Sequence, residues 1–340
     1  MDRRDKLLEG LDLANMVGVE VGPCDRPIVT KSDGRIIYVD RMDTESLKER
    51  FKEFADHDWT KIVDVDGIWG ENTIAEAIGP DVQADYVVAS HVGEHVPDFV
   101  TWLSELASVL KPGGTIRLAL PDKRFCFDYL REETRLVDVL TAYVARARIP
   151  LPQQAIDFCL HYMPVDAREA WRGDVQVPRL RDRSQMDHAF NVARSVVAGV
   201  YHDIHCWAFT PLSFVRLMEQ LTGLGLLRLT CQNLYDTERD ALEFFVIMAR
   251  SDDAASSDSW REMAAGLRVQ TTAEEAERRT IETKQRAEIE AMRAEITALR
   301  HSTSWKITAP ARWLANAVGL KQGSAISRPG QRALLSHRTA

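Results

Sequence analysis

The chain has no apolar run approaching the roughly 18 residues that cross a bilayer, so no membrane span is expected. It has no CxxC pair. Its cysteines, Cys24, Cys126, Cys159, Cys206 and Cys231, are far apart and odd in number, which speaks against a zinc knuckle and a disulfide framework. A reducing cytoplasm is the expected compartment. The opening MDRRDKLLEGLDLAN lacks the apolar core of a signal peptide. Missing too is a GxGxxG turn, which would seat a pyrophosphate on a helix N-terminus and mark a dinucleotide oxidoreductase. Finally, no acid occurs between His301 and Ala340. Lys306, Arg312, Lys321, Arg328, Arg332 and Arg338 give that tail +6, leaving -14 on the first 300 residues within a whole-chain charge of -8. An acidic body argues against nucleic acid as a partner, because phosphate binding needs a basic face.

What is present reads as a globular α/β protein, with 45% hydrophobic and 28% charged residues. Short β-branched runs alternate with amphipathic stretches, the pattern of βαβ units around a parallel sheet. Strands are expected at Val17–Val21, Arg35–Val39, Lys61–Val65, Ala84–Ala89 and Thr115–Leu120. Helices are expected at Thr44–Phe54 and Phe99–Leu110, the second ended by Lys111-Pro112-Gly113-Gly114. From about 125 to 205 the strand signal fades into a helical insertion. A helix over Thr210–Leu221 follows, with Thr210 as N-cap and Pro211 at its first position, then a hairpin of Leu226–Leu234 and Glu243–Ala249.

The chemistry-bearing residues gather at expected strand ends. Glu20 and Gly22 close the first strand, where a glycine lets backbone approach a ligand. Asp40 closes the second, the place where adenosine-binding folds hold ribose hydroxyls; it could equally serve the N-terminus of the next helix.

The segment ADYVVASHVGEHVPDFVTWLSELASVLKPGGTIRLALPDK resembles the fourth and fifth strands of class I S-adenosylmethionine-dependent methyltransferases, above all in SHVGEHVPD and LKPGG. GVEVGPCDRPIVTKSDGRIIYVD resembles the first cofactor motif of that family, with the usual run of glycines replaced by Gly22-Pro23-Cys24-Asp25-Arg26-Pro27. The resemblance spans roughly Val17 to Arg250. It implies a doubly wound, mostly parallel seven-stranded Rossmann-like sheet and S-adenosylmethionine as cofactor, held by Glu20, Gly22, Asp40, Ser90 and His91. Asp66 is a further candidate, for the adenine amino group, or else a turn residue before Gly67.

Methyl transfer to a hydroxyl is helped by a general base. His95 and Asp122, just past the fourth and fifth strands, are candidates for that work. His95 could instead pack in the next helix, and Asp122 could pair with Lys123 or Arg124. The run Tyr201-His202-Asp203-Ile204-His205-Cys206-Trp207 is expected to wall the acceptor site, with His205 as a third catalytic candidate. No metal site is expected, because HxxH with His161 and His188 elsewhere lacks matched ligand spacing.

Beyond the domain at 1–250, a linker is expected over 251–271, then a helix over 272–300 whose Ile289, Met292, Ile296 and Leu299 follow coiled-coil spacing for about two heptads. This helix could join a glycosyltransferase or a second copy, or stand alone in solvent. The basic tail over 301–340, with Trp305 and Trp313 among its cations, suits peripheral contact with the inner membrane face, or remains unstructured. Ser302–Pro310 resembles C-terminal segments of surface-polysaccharide glycosyltransferases and associated methyltransferases. The expected function is therefore O-methylation of a sugar or glycan intermediate. The alternatives are a methyltransferase of a non-sugar small molecule and a non-catalytic scaffold of the same fold.

Overall fold

The computed structural model describes residues 1–267 apart from 55–56, 71, 178–182 and 252–256. Seven strands form one sheet: β1 (Val17–Val21), β2 (Arg35–Asp40), β3 (Gly67–Ile68), β4 (Ala84–Ser90), β5 (Leu110–Pro121), β6 (Leu229–Tyr235) and β7 (Glu243–Arg250). Their spatial order is β3-β2-β1-β4-β5-β7-β6. The first five are parallel and β7 runs antiparallel to both neighbours. This is the doubly wound, mostly parallel seven-stranded α/β sheet expected from the sequence.

Alternation along the strands gives each face its own core. Val19, Val21, Val39, Val87, Ala89, Ile116, Leu118, Leu120, Phe244, Val246 and Met248 point to one side, where α3 (Ile74–Ile78), α4 (Phe99–Ser108) and α9 (Pro211–Gly223) cover them. Ile36, Tyr38, Tyr86, Val88, Ala119 and Phe245 point to the other, against Leu7 of α1 (Arg3–Leu8) and Ile28–Val29. That second face has a thin cover, tied down by buried Arg117, whose guanidinium donates to the carbonyls of Leu7 and Glu9 at the end of α1.

α4 forms because Asp98 caps its first turn, accepting from Thr101 N at 3.0 Å, while Phe99, Val100, Trp102, Leu103 and Leu106 are buried. Each such side chain stabilises by about 1.5–3 kcal/mol. At α9, Thr210 and Pro211 take the cap and first positions as expected. The Lys111–Gly114 turn ends α4 but lies inside β5, as a register shift between Ala84 and Tyr86 pairings, with Lys111 Nζ held by Asp85 at 2.8 Å. The helical insertion carries α5 (Leu136–Ala145), α6 (Pro152–His161), α7 (Ala167–Arg172) and α8 (Arg183–Val197). A helix α2 (Thr44–Phe51) precedes β3.

Two expectations are corrected. Lys61–Val65 is not a strand: β3 is the two residues Gly67–Ile68. Backbone groups of 63–66 are satisfied elsewhere, Val63 N on the Cys24 carbonyl, Val65 N on the Thr44 hydroxyl and Asp66 N on the Tyr38 carbonyl. The stretch 251–271 is not all linker either. Residues 257–267 form a helix, α10, that buries Trp260, Ala264 and Leu267 in the larger core, with Trp260 Nε1 donating to the Leu229 carbonyl. Its spacing of four and three is a helical stripe. The expected helix over 272–300 and the tail over 301–340 lie outside the described residues. The described residues belong to one compact unit, Met1–Gln270. No helix among the described residues is long and apolar enough to cross a membrane.

Candidate active site

A cavity of about 750 Å³ opens over the carboxyl ends of β1, β2 and β4, walled by Tyr201 and Asp203 of the insertion's last segment and by Ala241–Glu243. That is the edge of a doubly wound sheet where ligands bind. A volume in the range of about 300–1,000 Å³ suits a cofactor or small ligand. Glu20, Gly22, Asp40, Ser90, His91 and His95 all line it.

Gly22 sits at φ +68°, and a Cβ there would lie 2.6 Å from Val92 Cγ2, so any other residue would be strained and would crowd Val92. Glu20 does not present its charge to the cavity. Its two carboxylate oxygens accept from Ile28 N (2.7 Å) and Val29 N (3.0 Å), bracing the loop after β1. Burial raises its pKa to about 7 against the pull of those two donors. The loop itself, 22–34, contains no helix. A pyrophosphate would therefore find no helix N-terminus there.

Asp40 accepts from Arg41 N at 2.6 Å and faces the cavity, with burial lifting its pKa to about 6. Ser90 receives a hydrogen bond from Arg3, whose guanidinium also lies 3.3 Å from Glu243. His91, at φ +54°, turns the chain sharply at the end of β4. Its Nε2 lies 2.8 Å from Glu243, and although burial opposes charge on the ring, the flanking Glu243 and Glu94 raise its pKa to about 9.

Three expected site residues stand elsewhere. Asp66 is outside the cavity lining: because β3 begins at Gly67, Asp66 falls at the start of that strand, not its carboxyl end. It accepts from Tyr38 N and from Lys31 Nζ. Trp69, after β3, reaches the lining instead. Asp122 is fully buried, held by the Arg124 guanidinium and the Thr237 hydroxyl, and caps the turn at Lys123–Phe125. That is a structural role. His205 is buried behind His95, the two rings meeting edge-on at 4.6 Å between centroids.

Sequence reasoning missed the group that organises this wall. Glu94 is completely buried among three histidines, its Oε1 3.3 Å from His91 Nδ1, 4.0 Å from His95 Nε2 and 3.9 Å from His205 Nε2. Burial alone would raise its pKa, but the three rings together hold it below the usual range. The Glu94 carbonyl accepts from Cys206 N and Trp207 N, joining β4's exit to the insertion's last segment. Asp203 lies 2.9 Å from His95 Nδ1 and 2.9 Å from Arg50, and Arg41 stacks on Tyr201 at 3.1 Å from the ring centroid. Both His95 nitrogens thus face carboxylates, and its pKa is raised by Asp203 and Glu94 despite burial. His95 thus stands in the cavity wall between two carboxylates. The buried Asp128 holds His205 Nδ1 at 2.5 Å and is itself paired with Arg131 at 2.9 Å. None of these charge partners shows a sequence pattern; only the HDIH run beside them hinted at the wall.

A second depression of about 740 Å³ shares Arg41, Trp69, Val96 and Pro97 with the cavity and extends to Trp102, Tyr143 and Arg148.

A family model described as a methyltransferase domain matches residues 8–225, more than half of the chain. No curated protein matches. Among solved structures, similarity extends to a protein of Rhodobacter sphaeroides described as a Zn-dependent alcohol dehydrogenase (14% identity, 74% of this chain and 90% of that one, TM-score 0.41). It extends also to proteins described as S-adenosylmethionine-dependent methyltransferases from Listeria monocytogenes (11% identity, 73% and 96% coverage, TM-score 0.36) and Aquifex aeolicus (11% identity, 73% and 89%, TM-score 0.35). Likenesses this distant carry no functional weight; the family model does.

Proposed function

The chain belongs to the methyltransferase-domain family, and from that premise we propose that it transfers a methyl group from S-adenosylmethionine to a hydroxyl of a sugar or glycan intermediate. The observation that carries the cofactor half is the cavity floor: Gly22, at a positive φ and close against Val92, beside the Asp40 carboxylate at the end of β2. These residues fit a nucleoside sulfonium. Asp40 offers acceptor oxygens to vicinal ribose hydroxyls, Gly22 admits the ligand against backbone, and Glu20 keeps the loop open by occupying its own charge on Ile28 and Val29.

When bound, S-adenosylmethionine supplies an activated methyl group with a neutral leaving group, so the protein's share is chiefly positioning. Arg41 and Tyr201, stacked together, and Asp203, fixed by Arg50 and His95, form a stiff opposite wall. Support for a sugar comes from the adjoining depression, whose half-buried Trp69 and Tyr143 offer aromatic faces while Glu105 and Arg148 offer partners for hydroxyls. The Ser302–Pro310 resemblance points the same way. A glycosyltransferase or second copy bound through 272–300, and lipid contact by the tail, remain part of the proposal.

The test is transfer of a labelled methyl group from S-adenosylmethionine by the full chain into extracts containing polysaccharide intermediates. Label in glycan products is expected. Label confined to non-glycan products would move the acceptor to another small molecule, and no label in any product would favour the scaffold.

A further inference from the structure

We propose that Glu94, His95 and His205 bind one divalent transition-metal ion of the zinc type, with a fourth coordination position open to the cavity. The starting observation is a buried carboxylate that accepts no hydrogen bond. Glu94 is wholly buried, and neither of its carboxylate oxygens has a hydrogen-bond partner. A buried carboxylate left so is costly unless a cation or donor compensates it.

The surrounding atoms are spaced for a cation rather than for hydrogen bonds. His95 Nε2 and His205 Nε2 lie 4.0 and 3.9 Å from Glu94 Oε1, beyond hydrogen-bond reach. One donor atom from each residue falls within 4.8 Å of the other two. Bonds of about 2.0–2.2 Å in tetrahedral geometry place ligand atoms about 3.4 Å apart. Closing the set around an ion therefore shortens the two carboxylate separations by about half an ångström and the third by at most about 1.4 Å.

The far side of each ring strengthens the case. His205 Nδ1 lies 2.5 Å from Asp128, and His95 Nδ1 lies 2.9 Å from Asp203. For His205 the hydrogen bond to Asp128 places the proton on Nδ1 and leaves Nε2 toward the ion, as metal-binding histidines are habitually held, while Asp203 lies beside His95 Nδ1 as an ion-pair neighbour. Asp128 is in turn anchored by Arg131, which also pairs with Asp157 at 2.7 Å. An ion among these three residues would compensate the buried carboxylate and take a nitrogen from each of the two rings. His91 is the remaining neighbour: its Nδ1 lies 3.3 Å from Glu94 and its Nε2 2.8 Å from Glu243, so it bridges the two carboxylates outside the proposed ligand set. His95 lines the cavity, so the fourth position faces the space where an acceptor would enter.

Two imidazoles and one carboxylate select zinc, cobalt, nickel or ferrous iron over magnesium or calcium. The other candidate cluster, Cys24, Asp25 and His57, is closed on itself: His57 Nδ1 lies 2.9 Å from Asp25, and burial pushes the Cys24 thiol up to about 12. The metal site goes beyond the methyl-transfer reading and does not depend on it, although a Lewis acid at this wall would acidify an acceptor hydroxyl.

The test uses the full chain, stripped with a chelator and titrated with Co²⁺ and Zn²⁺ in the absence of S-adenosylmethionine, so that its outcome is separate from any failure of donor binding. One equivalent per chain, with the visible absorption of low-coordinate cobalt, is expected. Glu94→Gln should weaken binding at least tenfold, and His57→Ala should leave it unchanged. Zinc-edge X-ray absorption of the wild-type protein, which needs no variant to fold, should show imidazole and oxygen ligands without sulfur. No uptake, equal affinity in Glu94→Gln, or a sulfur ligand would each overturn the site.

Discussion

The two ends of the cavity are built by opposite means. At the end formed by β1 and β2, acids meet backbone: Glu20 accepts from Ile28 and Val29, Asp40 from Arg41, and Gly22 supplies a bare surface. At the end formed by the exit of β4 and the insertion, side chains meet side chains, in the chain Arg131–Asp128–His205 and in His95–Asp203–Arg50. Backbone donors come with the strand and loop that carry them, whereas side-chain networks stand or fall by their weakest member. The first end should tolerate change in the insertion; the second should not.

The largest effect should come from breaking the second end at its anchor. Arg131→Met leaves Asp128 and Asp157 without their buried cation and should cost about 3–5 kcal/mol in denaturant unfolding. A loss below about 1 kcal/mol would show that the network is slack. Next, Gly22→Val puts a branched side chain at a positive φ against Val92. It should cost about 1–2 kcal/mol in stability from backbone strain and abolish S-adenosylmethionine binding in the same preparation; retained binding would remove Gly22 from the site.

Asp40→Asn should weaken donor affinity by about 1.5–3 kcal/mol, tenfold or more, with little change in stability. Its pH dependence sharpens the point. Burial raises the Asp40 pKa to about 6, and ribose hydroxyls need the ionised form, so wild-type affinity should hold above about pH 6 and fall as pH drops through it. In Asp40→Asn that break should vanish; a break surviving at the same pH would assign it to another group. The smallest effect belongs to truncation after Gln270, the boundary of the first compact unit. The thermal midpoint of the remaining domain should stay within a few degrees. Truncation before residue 257 removes Trp260 and should lower it clearly.

The same contrast explains what could be read in the sequence. β1, β2, β4 and the cap of α9 announce themselves through local signals: apolar runs, a glycine, an acid, a Thr-Pro start. Glu20, Gly22, Asp40 and His95 could be read at strand ends and Ser90 and His91 from the resemblance, and all six line the cavity. Lys61–Val65 misled because its alternation is that of a strand while its partners are a loop carbonyl and a hydroxyl, and Asp66 was displaced with it. Asp122 sits at the right strand end, yet Arg124 and Thr237 consume it. Glu94 escaped notice because its meaning depends on His205, 111 positions away in the case of its turn's bond from Cys206 Sγ to the His95 carbonyl, a pairing only the folded chain creates. In α10 the stripe of Trp260, Ala264 and Leu267 was masked by the Ser- and Asp-rich run before it.

The most direct measurement is calorimetric titration of the full chain with S-adenosylmethionine above pH 6, with Asp40→Asn alongside. Saturable one-to-one binding, weakened at least tenfold by the substitution, is the predicted result. Absence of heat at millimolar donor, or equal affinity in both proteins, would contradict a nucleoside sulfonium held at the end of β2.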